Sequence, residues 1–186
     1  MMVVNPLQNF MGDVERLKEE AGVAACNFIK DGMKLGLGTG STVRYTVIEI
    51  GRRISEDGLN VVGVPTSEAT RELALEVGIP LVSLSESGGL DLVIDGADEF
   101  DNNFSLIKGG GGALTREKIV AQSSKSMIVV ADDRKQVETL GDFDLPVEVL
   151  PFEWERTRDR ISSFCPGEVK LRGGSEPFVT DNEGYI

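Results

Sequence analysis

The residue types that can carry out chemistry are concentrated in residues 90–120. A short apolar run ends at Asp95, Asp98 follows, and Lys108 precedes four consecutive glycines and a segment that contains Glu117. A carboxylate such as Glu117 can act as a general base, and a lysine such as Lys108 can stabilise a developing oxyanion. A carboxylate base beside an electrophilic cation suits proton abstraction next to a carbonyl, which is the chemistry of aldose–ketose isomerases.

A second candidate site is the glycine-rich stretch 36–42, which contains Thr39, Gly40, Ser41 and Thr42. A turn of this kind between a strand and a helix presents backbone N–H groups and the positive end of the helix dipole to an anion, so it favours a phosphate site. The dinucleotide-binding fingerprint is disfavoured, because its third glycine is absent and no acidic residue ends the next predicted strand. A purely structural tight turn remains the alternative.

The residues alone also leave simpler interpretations open. Asp95-Gly96 is typical of an ordinary turn, Glu117 of an exposed helix residue paired with a neighbour, and Lys18 of a solvated surface lysine. Spacing alone therefore predicts a phosphate-binding α/β enzyme and leaves its reaction undefined.

The composition removes several mechanisms and partners from consideration. The chain has 186 residues and no histidine, which excludes Ser-His-Asp and Cys-His catalysis and histidine metal sites. Cys26 and Cys165 fit no metal or redox spacing, so we expect free thiols in a cytoplasmic protein. The net charge of −12 argues against nucleic acid and anionic membrane partners. No apolar run approaches the roughly 18 residues of a transmembrane helix, and the N-terminus lacks the basic region and long apolar region that a signal peptide would have.

The elements that must position these residues alternate between strands and helices. The predicted strands are 33–37, 61–64, 80–84, 92–94 and a buried strand at 127–131, with a loop at 85–89. The predicted helices are one capped by Asp13, one starting near Val43, one capped by Thr66 or Ser67, and one from about Ala113 to Gln122. This alternation predicts an α/β fold with a Rossmann-like, mostly parallel sheet.

In such a sheet the ligand lies beyond the carboxyl ends of the strands. Thr39, Asp95, Lys108 and Lys135 all follow strand-like runs. We therefore expect these four side chains to converge on one crevice.

The pattern changes after Gly141, which predicts a catalytic domain in residues 1–143 and a smaller α+β lobe in residues 144–186. In the lobe we predict strands at 145–150, 168–171 and 177–180, a helix at 154–164 and a hairpin turn at 181–184. The sequence ends at what looks like the start of a strand. Because a lone strand start is poorly supported, we expect a truncated chain.

Several ordered motifs resemble those of the ribose-5-phosphate isomerase type A family, and the resemblance covers nearly the whole chain. They are Gly38–Thr42, Asp95–Glu99, Lys108–Gly111, Leu114–Lys118, Ala131-Asp132 with Lys135–Val137, Leu145–Val149 and Val179–Asn182. The resemblance implies interconversion of D-ribose 5-phosphate and D-ribulose 5-phosphate through an enediolate, in the non-oxidative pentose phosphate pathway. It implies no organic cofactor and no metal, and a homodimer or homotetramer. Members of the family continue beyond the position of Ile186.

The resemblance also assigns roles to residues. Glu117 matches the base that moves a proton between C2 and C1, and Lys108 matches the group that polarises the carbonyl. Asp95 and Asp98 match the pair that binds sugar hydroxyls and assists ring opening. The implied substrate-binding residues are Lys18, Thr39, Gly40, Ser41, Thr42, Asp95, Gly96, Ala97, Asp98, Lys108, Gly109, Gly110, Gly111 and Lys135.

Four other classes of protein remain in competition. Sugar-phosphate deaminases would be expected to use a histidine, and CoA transferases need a glutamate nucleophile in a different local motif. A sugar-phosphate-sensing domain of a transcriptional regulator would need a DNA-binding helix pair and a basic patch, whereas this chain is acidic. A nucleotide-dependent dehydrogenase lacks support from the glycine pattern described above.

Overall fold

The fold is built on a parallel sheet, as predicted. The computed structural model describes residues 6–186, with side chains described from Asp13 onward. The strands are β1 Lys34–Leu37, β2 Val62–Pro65, β3 Leu92–Asp95, β4 Glu99–Phe100, β5 Leu106–Ile107 and β6 Met127–Val129. Four of them form a parallel sheet in the order β2-β1-β3-β6, and β4 and β5 form a separate antiparallel pair.

Helices connect the parallel strands, which confirms the predicted α/β class. They are α1 Pro6–Ala25, α2 Val43–Asp57, α3 Glu68–Glu76, α4 Leu84–Ser87, α5 Leu114–Gln122 and α6 Trp154–Ser162. Within the described residues, no helix is long and apolar enough to span a bilayer.

The helix termini follow local sequence signals in most cases. Ser67 caps α3, where its hydroxyl accepts a hydrogen bond from the backbone N–H of Thr70, and Gly78 follows the helix with a φ of 79°. The prediction that Asp13 caps the first helix is wrong, because α1 begins at Pro6 and Asp13 lies inside it. Proline is favoured in the first turn of a helix, where its missing N–H costs no hydrogen bond.

The core lies where the central strands meet α2. Leu35 of β1 and Ile94 of β3 pack with Val47 and Ile50 of α2, and all four are buried. Helix α1 approaches α2 closely at Gly22, where an added Cβ would lie 2.8 Å from the Thr42 carbonyl oxygen. This close contact brings the polar face of α1 to the loop that follows β1.

Three predictions near the sheet are wrong. Residues 80–84 form no strand, since only Leu81 makes a single bridge to β2. Residues 84–87 form the short helix α4 instead of a loop, because Ser83 and Glu86 make a reciprocal capping box. The last strand, β6, is at the sheet edge, and Met127 and Val129 are 38% and 36% exposed. The prediction of a buried strand at 127–131, which was based on its apolar sequence, is therefore wrong for these two side chains.

The C-terminal segment (residues 144–186) contains α6 and little regular strand. The predicted strands at 145–150, 168–171 and 177–180 are wrong as extended ladders. The described pairing there consists of isolated bridges from Tyr185 to Val149 and Val179. The turn at 181–184 is present, with the Thr180 N–H donating to the Gly184 carbonyl over 2.9 Å. Cys26 and Cys165 are free thiols, as predicted.

Candidate active site

Asp95 lies at the carboxyl end of β3 and organises the loops around it. Its side chain is 0% exposed. One carboxylate oxygen accepts backbone N–H groups of Thr39 (3.0 Å) and Gly96 (2.8 Å), and the other lies 3.1 Å from Lys108 Nζ. Three donors satisfy a charge that would otherwise be costly to bury.

The loop after β1 is packed directly against Asp95. A Cβ added at Gly38 would overlap the side chain and backbone of Asp95 and the Ile94 carbonyl, so only glycine fits there. The adjacent Thr39 hydroxyl is 2.8 Å from the Thr66 hydroxyl, at the end of β2. Strand ends of β1, β2 and β3 therefore meet at one edge, as the sequence predicted.

Lys108 is brought back over β3 by the β4–β5 pair. The Ile107 carbonyl accepts the Asp98 N–H over 2.8 Å, which closes the hairpin just before Lys108. The Lys108 ammonium donates to the Gly96 carbonyl and lies between two carboxylates, those of Asp95 (3.1 Å) and Glu117 (2.9 Å).

Glu117 projects from the first turn of α5 into the same space. It is 6% exposed. Its Oε2 forms the ion pair with Lys108, and no other donor among the described residues reaches that oxygen. The carboxylate is thus held beside the ammonium group and can still accept from a further partner.

The surroundings of Glu117 bring its pKa close to neutral pH. Burial, with the nearby Asp95 charge, raises its pKa to about 7, although Lys108 opposes the shift. For Lys108 itself, burial disfavours the charged form, but Asp95 and Glu117 outweigh it and raise the pKa of the lysine. Lys108 is therefore a cation throughout the range in which Glu117 titrates.

Asp98 faces the crevice from the other side of the loop. Its Oδ2 accepts the Gly110 backbone N–H over 2.8 Å. The contact ties the start of the β4–β5 pair to the glycine-rich loop that leads to α5. Asp98 and Glu117 consequently line the same cavity.

That cavity has a volume of about 300 Å³. Most of the predicted site residues line it: Lys18, Thr39, Gly40, Ser41, Thr42, Gly96, Ala97, Asp98, Lys108, Gly109, Gly111, Glu117 and Lys135. Asp95 lies beneath its floor, and Gly110 is turned toward Asp98. In the described part of the chain, no cluster of three or more His, Cys, Asp or Glu side chains is arranged to hold a metal ion.

One end of the cavity is cationic, with Lys18, Arg134 and Lys135 around the loop 39–42. Sequence reasoning missed Arg134, although it precedes Lys135 directly. Its guanidinium is fixed by Asp132, at 2.6 Å and 3.1 Å, and holds the pKa of that carboxyl below its usual range. Lys18 is paired with Glu15 at 2.7 Å.

The fold and the cavity together define an α/β enzyme with a carboxylate–lysine site beside a cationic end. The family model of ribose 5-phosphate isomerase A (phosphoriboisomerase A) matches residues 62–186. A curated relative named ribose-5-phosphate isomerase A 1, from Oceanobacillus iheyensis, is 51% identical over 177 residues, which cover 95% of this chain and 79% of the relative.

Solved structures agree with the sequence match. A D-ribose-5-phosphate isomerase in complex with phospho-erythronic acid superposes with a TM-score of 0.87 at 40% identity, covering 92% of this chain and 77% of that one. Ribose 5-phosphate isomerase A from Methanocaldococcus jannaschii gives 0.85 at 41% identity, with coverage of 92% and 77%.

This chain belongs to the ribose 5-phosphate isomerase A family and is an isomerase. The deaminase, transferase, regulator and dehydrogenase alternatives find no support in these matches. Membership of the family does not by itself assign a role to each carboxylate or to the lysine of the cavity.

Proposed function

We propose that this chain interconverts D-ribose 5-phosphate and D-ribulose 5-phosphate in the non-oxidative pentose phosphate pathway, with Glu117, Lys108 and Asp98 as the groups that contact the reacting sugar. The observation that carries the proposal is the Lys108 ammonium held between the Asp95 and Glu117 carboxylates in the cavity. Relatives whose names state this activity support the choice of substrate.

Glu117 is the base in this proposal. It removes the proton from C2 of the aldose and returns one to C1, while the hydroxyl proton passes from O2 to O1, and the reverse reaction runs through the same enediolate. A pKa of about 7 suits this exchange, because the base is partly ionised at neutral pH and its conjugate acid can give the proton back. The Oε2 atom, which lies 2.9 Å from Lys108 Nζ and has no other donor among the described residues, is the acceptor available for the proton.

Lys108 supplies the electrophile. An ammonium group at the substrate oxygen stabilises the negative charge that develops there as the enediolate forms. Because Asp95 and the Gly96 carbonyl fix the ammonium in place, little reorganisation is needed when that charge appears.

The two aspartates have different parts in the proposal. Asp98 lines the cavity and is available to accept sugar hydroxyls and to assist ring opening. Asp95 has no exposed surface and both of its oxygens already accept donors, so it orients Lys108 and Thr39 instead of contacting the sugar.

The cationic end binds the 5-phosphate. The Thr39 N–H is taken by Asp95, so the donors of the loop are the backbone N–H groups of residues 40–42 and the hydroxyls of Ser41 and Thr42, beside Lys18, Arg134 and Lys135. A loop of this type at the start of a helix favours a dianion, and α2 begins directly after it, at Val43. The partner is therefore a small sugar phosphate, with no nucleic acid or membrane.

The remaining proposals concern the whole molecule. They are a catalytic domain in residues 1–143 with a smaller lobe in residues 144–186, a cytoplasmic location, and a homodimer or homotetramer. Leu145, Leu150 and Phe152 are largely exposed on the C-terminal segment, which supports a contact between copies. Light scattering of the purified chain would test the assembly, and a monomer at micromolar concentration would contradict it.

The test of the proposed reaction is isomerisation of ribose 5-phosphate by the wild type and by Glu117→Gln. Loss of the base should lower kcat by about 10²–10⁴-fold. Glu76→Gln, which changes an exposed glutamate of α3, is the matched control and should retain wild-type activity. A folded wild type that does not isomerise ribose 5-phosphate would overturn the proposed function.

A further inference from the structure

The backbone of Gly110 is held from both sides by charged groups. Its N–H donates to Asp98 Oδ2 over 2.8 Å, and its carbonyl accepts a hydrogen bond from Arg172 Nη1 over 2.6 Å. Arg172 lies in the C-terminal segment, 62 positions away in the sequence. Arg172 and the Asp98 carboxylate are thus linked through the backbone of a single residue, Gly110.

Two further contacts enclose Gly110. A Cβ added there would lie 2.7 Å from Asp98 Oδ1 and 2.8 Å from Cζ of Phe143, so the ring of Phe143 covers it. Phe143 is fixed in turn by Glu99, a carboxylate only 3% exposed, which accepts the backbone N–H groups of Phe143 and Gly141. The glycine is therefore packed against a supported aromatic ring.

Arg172 is itself held in a defined orientation. Its guanidinium carbon lies 3.9 Å from the centre of the Phe178 ring, and its backbone N–H donates to the Ile186 carbonyl over 2.7 Å. Stacking on an aromatic ring suits the planar guanidinium. A Cβ at Gly112 would lie 2.7 Å from the same Phe178 ring, so the C-terminal segment meets the glycine loop at two places.

Four consecutive glycines have little conformational preference of their own, so external contacts must fix the loop. We propose that Arg172 is a positioning residue for Asp98, acting through the Gly110 backbone. When the guanidinium is absent, the Gly110 carbonyl loses its donor, the loop gains alternative conformations, and the N–H leaves the Asp98 carboxylate. The inference rests on the proposed function, in which Asp98 accepts sugar hydroxyls.

The first experiment compares Arg172→Ala, Arg172→Lys and Arg158→Ala. Arg158 is a matched control, because it too is an arginine of the C-terminal segment stacked over an aromatic ring, that of Trp154 at 5.4 Å. Misplacement of Asp98 should lower kcat/KM of Arg172→Ala by roughly 10–100-fold. Arg158→Ala should keep wild-type kinetics. Arg172→Lys retains one cationic donor and should recover part of the loss.

A double-mutant cycle with Asp98→Asn separates positioning from a general structural role. If Arg172 acts through Asp98, Arg172→Ala should cause little further loss of kcat/KM in the Asp98→Asn background. Circular dichroism and thermal melting of all four proteins establish that each is folded.

The outcomes are distinguishable. If Asp98→Asn is impaired and Arg172→Ala has no effect, or lowers kcat/KM by the same factor in both backgrounds, the inference is overturned and the proposed function stands. If Asp98→Asn retains full activity, the role given to Asp98 in the proposed function fails and the inference fails with it.

Discussion

At the scale of single residues, the charged groups of the cavity shift one another's pKa values. The Asp95 carboxylate accepts from three donors, and together with Glu117 it raises the pKa of Lys108 against the effect of burial. Lys108 in turn limits the rise in the pKa of Glu117, which burial and Asp95 push to about 7. Without the lysine, two buried carboxylates would face each other.

The first prediction concerns Lys108→Met. Loss of the oxyanion donor should lower kcat by about 10²–10³-fold. Because Lys108 opposes the rise in the Glu117 pKa, its removal should also move the acid limb of kcat/KM to higher pH than the limb near pH 7 in the wild type. A phosphate group titrates near pH 6, so the shift between variants, and not the midpoint alone, is the quantity to measure.

Lys118→Met is the control for this experiment, since it removes an exposed lysine one position beyond Glu117. Its pH profile should match that of the wild type. An acid limb that stays in place in Lys108→Met would contradict the electrostatic coupling between the lysine and the glutamate.

The second prediction concerns stability. The folded-state pKa of Glu117 is about 7, above its ordinary 4.5, so the folded protein binds that proton more tightly than the unfolded chain. This contribution to stability is complete below pH 4.5 and is lost as the pH rises through 7. Glu117→Gln carries no such titration, and should melt at a higher temperature than the wild type at pH 8.

Thermal melts at pH 5 and pH 8 would measure the effect. The advantage of Glu117→Gln should be smaller at pH 5, where the wild-type carboxyl is mostly protonated. An advantage that is equal at both pH values would mean that Glu117 is ionised in the folded protein at pH 5 as well as at pH 8.

At the scale of elements, the site depends on the close approach of two strand ends. β1 and β3 are neighbours, paired from Leu35–Leu92 to Leu37–Ile94, and Gly38 lets the loop after β1 touch Asp95. Thr39 can then donate its N–H to that carboxylate. The glycine is needed for contact with Asp95 as well as for the loop itself.

The third prediction follows from this contact. Gly38→Ala should destabilise the fold by about 1–3 kcal/mol, because the methyl group overlaps Asp95, and should also lower kcat as Asp95 moves away from Lys108. Gly167→Ala is the matched control, since a Cβ there meets no atom within 4 Å. Urea unfolding and kinetics on both variants would check the prediction, and Gly38→Ala with wild-type stability would contradict the packing.

Periodicity predicted the elements well where local signals agreed with tertiary packing. The strand that precedes Thr39, the strand that ends at Asp95 and the helix that carries Glu117 were all identified, because apolar runs and glycine turns mark them. The edge position of β6 was missed, since an apolar run does not reveal how many neighbours a strand will have. The capping box of Ser83 and Glu86 was present in the sequence and was overlooked.

At the scale of the whole molecule, the C-terminal segment is fastened to the parts that carry the site. Arg116, next to Glu117, bonds to Glu68 of α3 (2.9 Å), to the Asn182 side chain (2.9 Å) and to the Asp181 carbonyl (2.7 Å). Arg172 also contacts the glycine loop that precedes α5. The segment is therefore attached both to the first turn of α5, through Arg116, and to the loop before it. Movement of the segment would therefore displace residues that line the cavity.

These long-range contacts are also what the sequence could not predict. Arg172 follows no strand end or glycine motif, and its role depends on which distant groups the fold brings beside it. Arg134 follows the same strand as Lys135, but the local pattern does not show that its side chain lines the cavity. Asp95, Lys108 and Glu117 were predictable because each follows an element with a strong local signal. Local pattern thus located the residues proposed to react, and packing alone revealed the groups that hold them.

The most direct test of the account is the isomerisation of ribose 5-phosphate in D2O with a chelator present. Proton transfer through Glu117 predicts ribulose 5-phosphate that carries deuterium at C1, because a carboxylic acid exchanges its proton with solvent before returning it. Glu117→Gln should form the labelled product at least about 100-fold more slowly. If Glu117→Gln formed product without deuterium at the wild-type rate, the reaction would proceed by direct hydride transfer, and the role of Glu117 as the base would be contradicted.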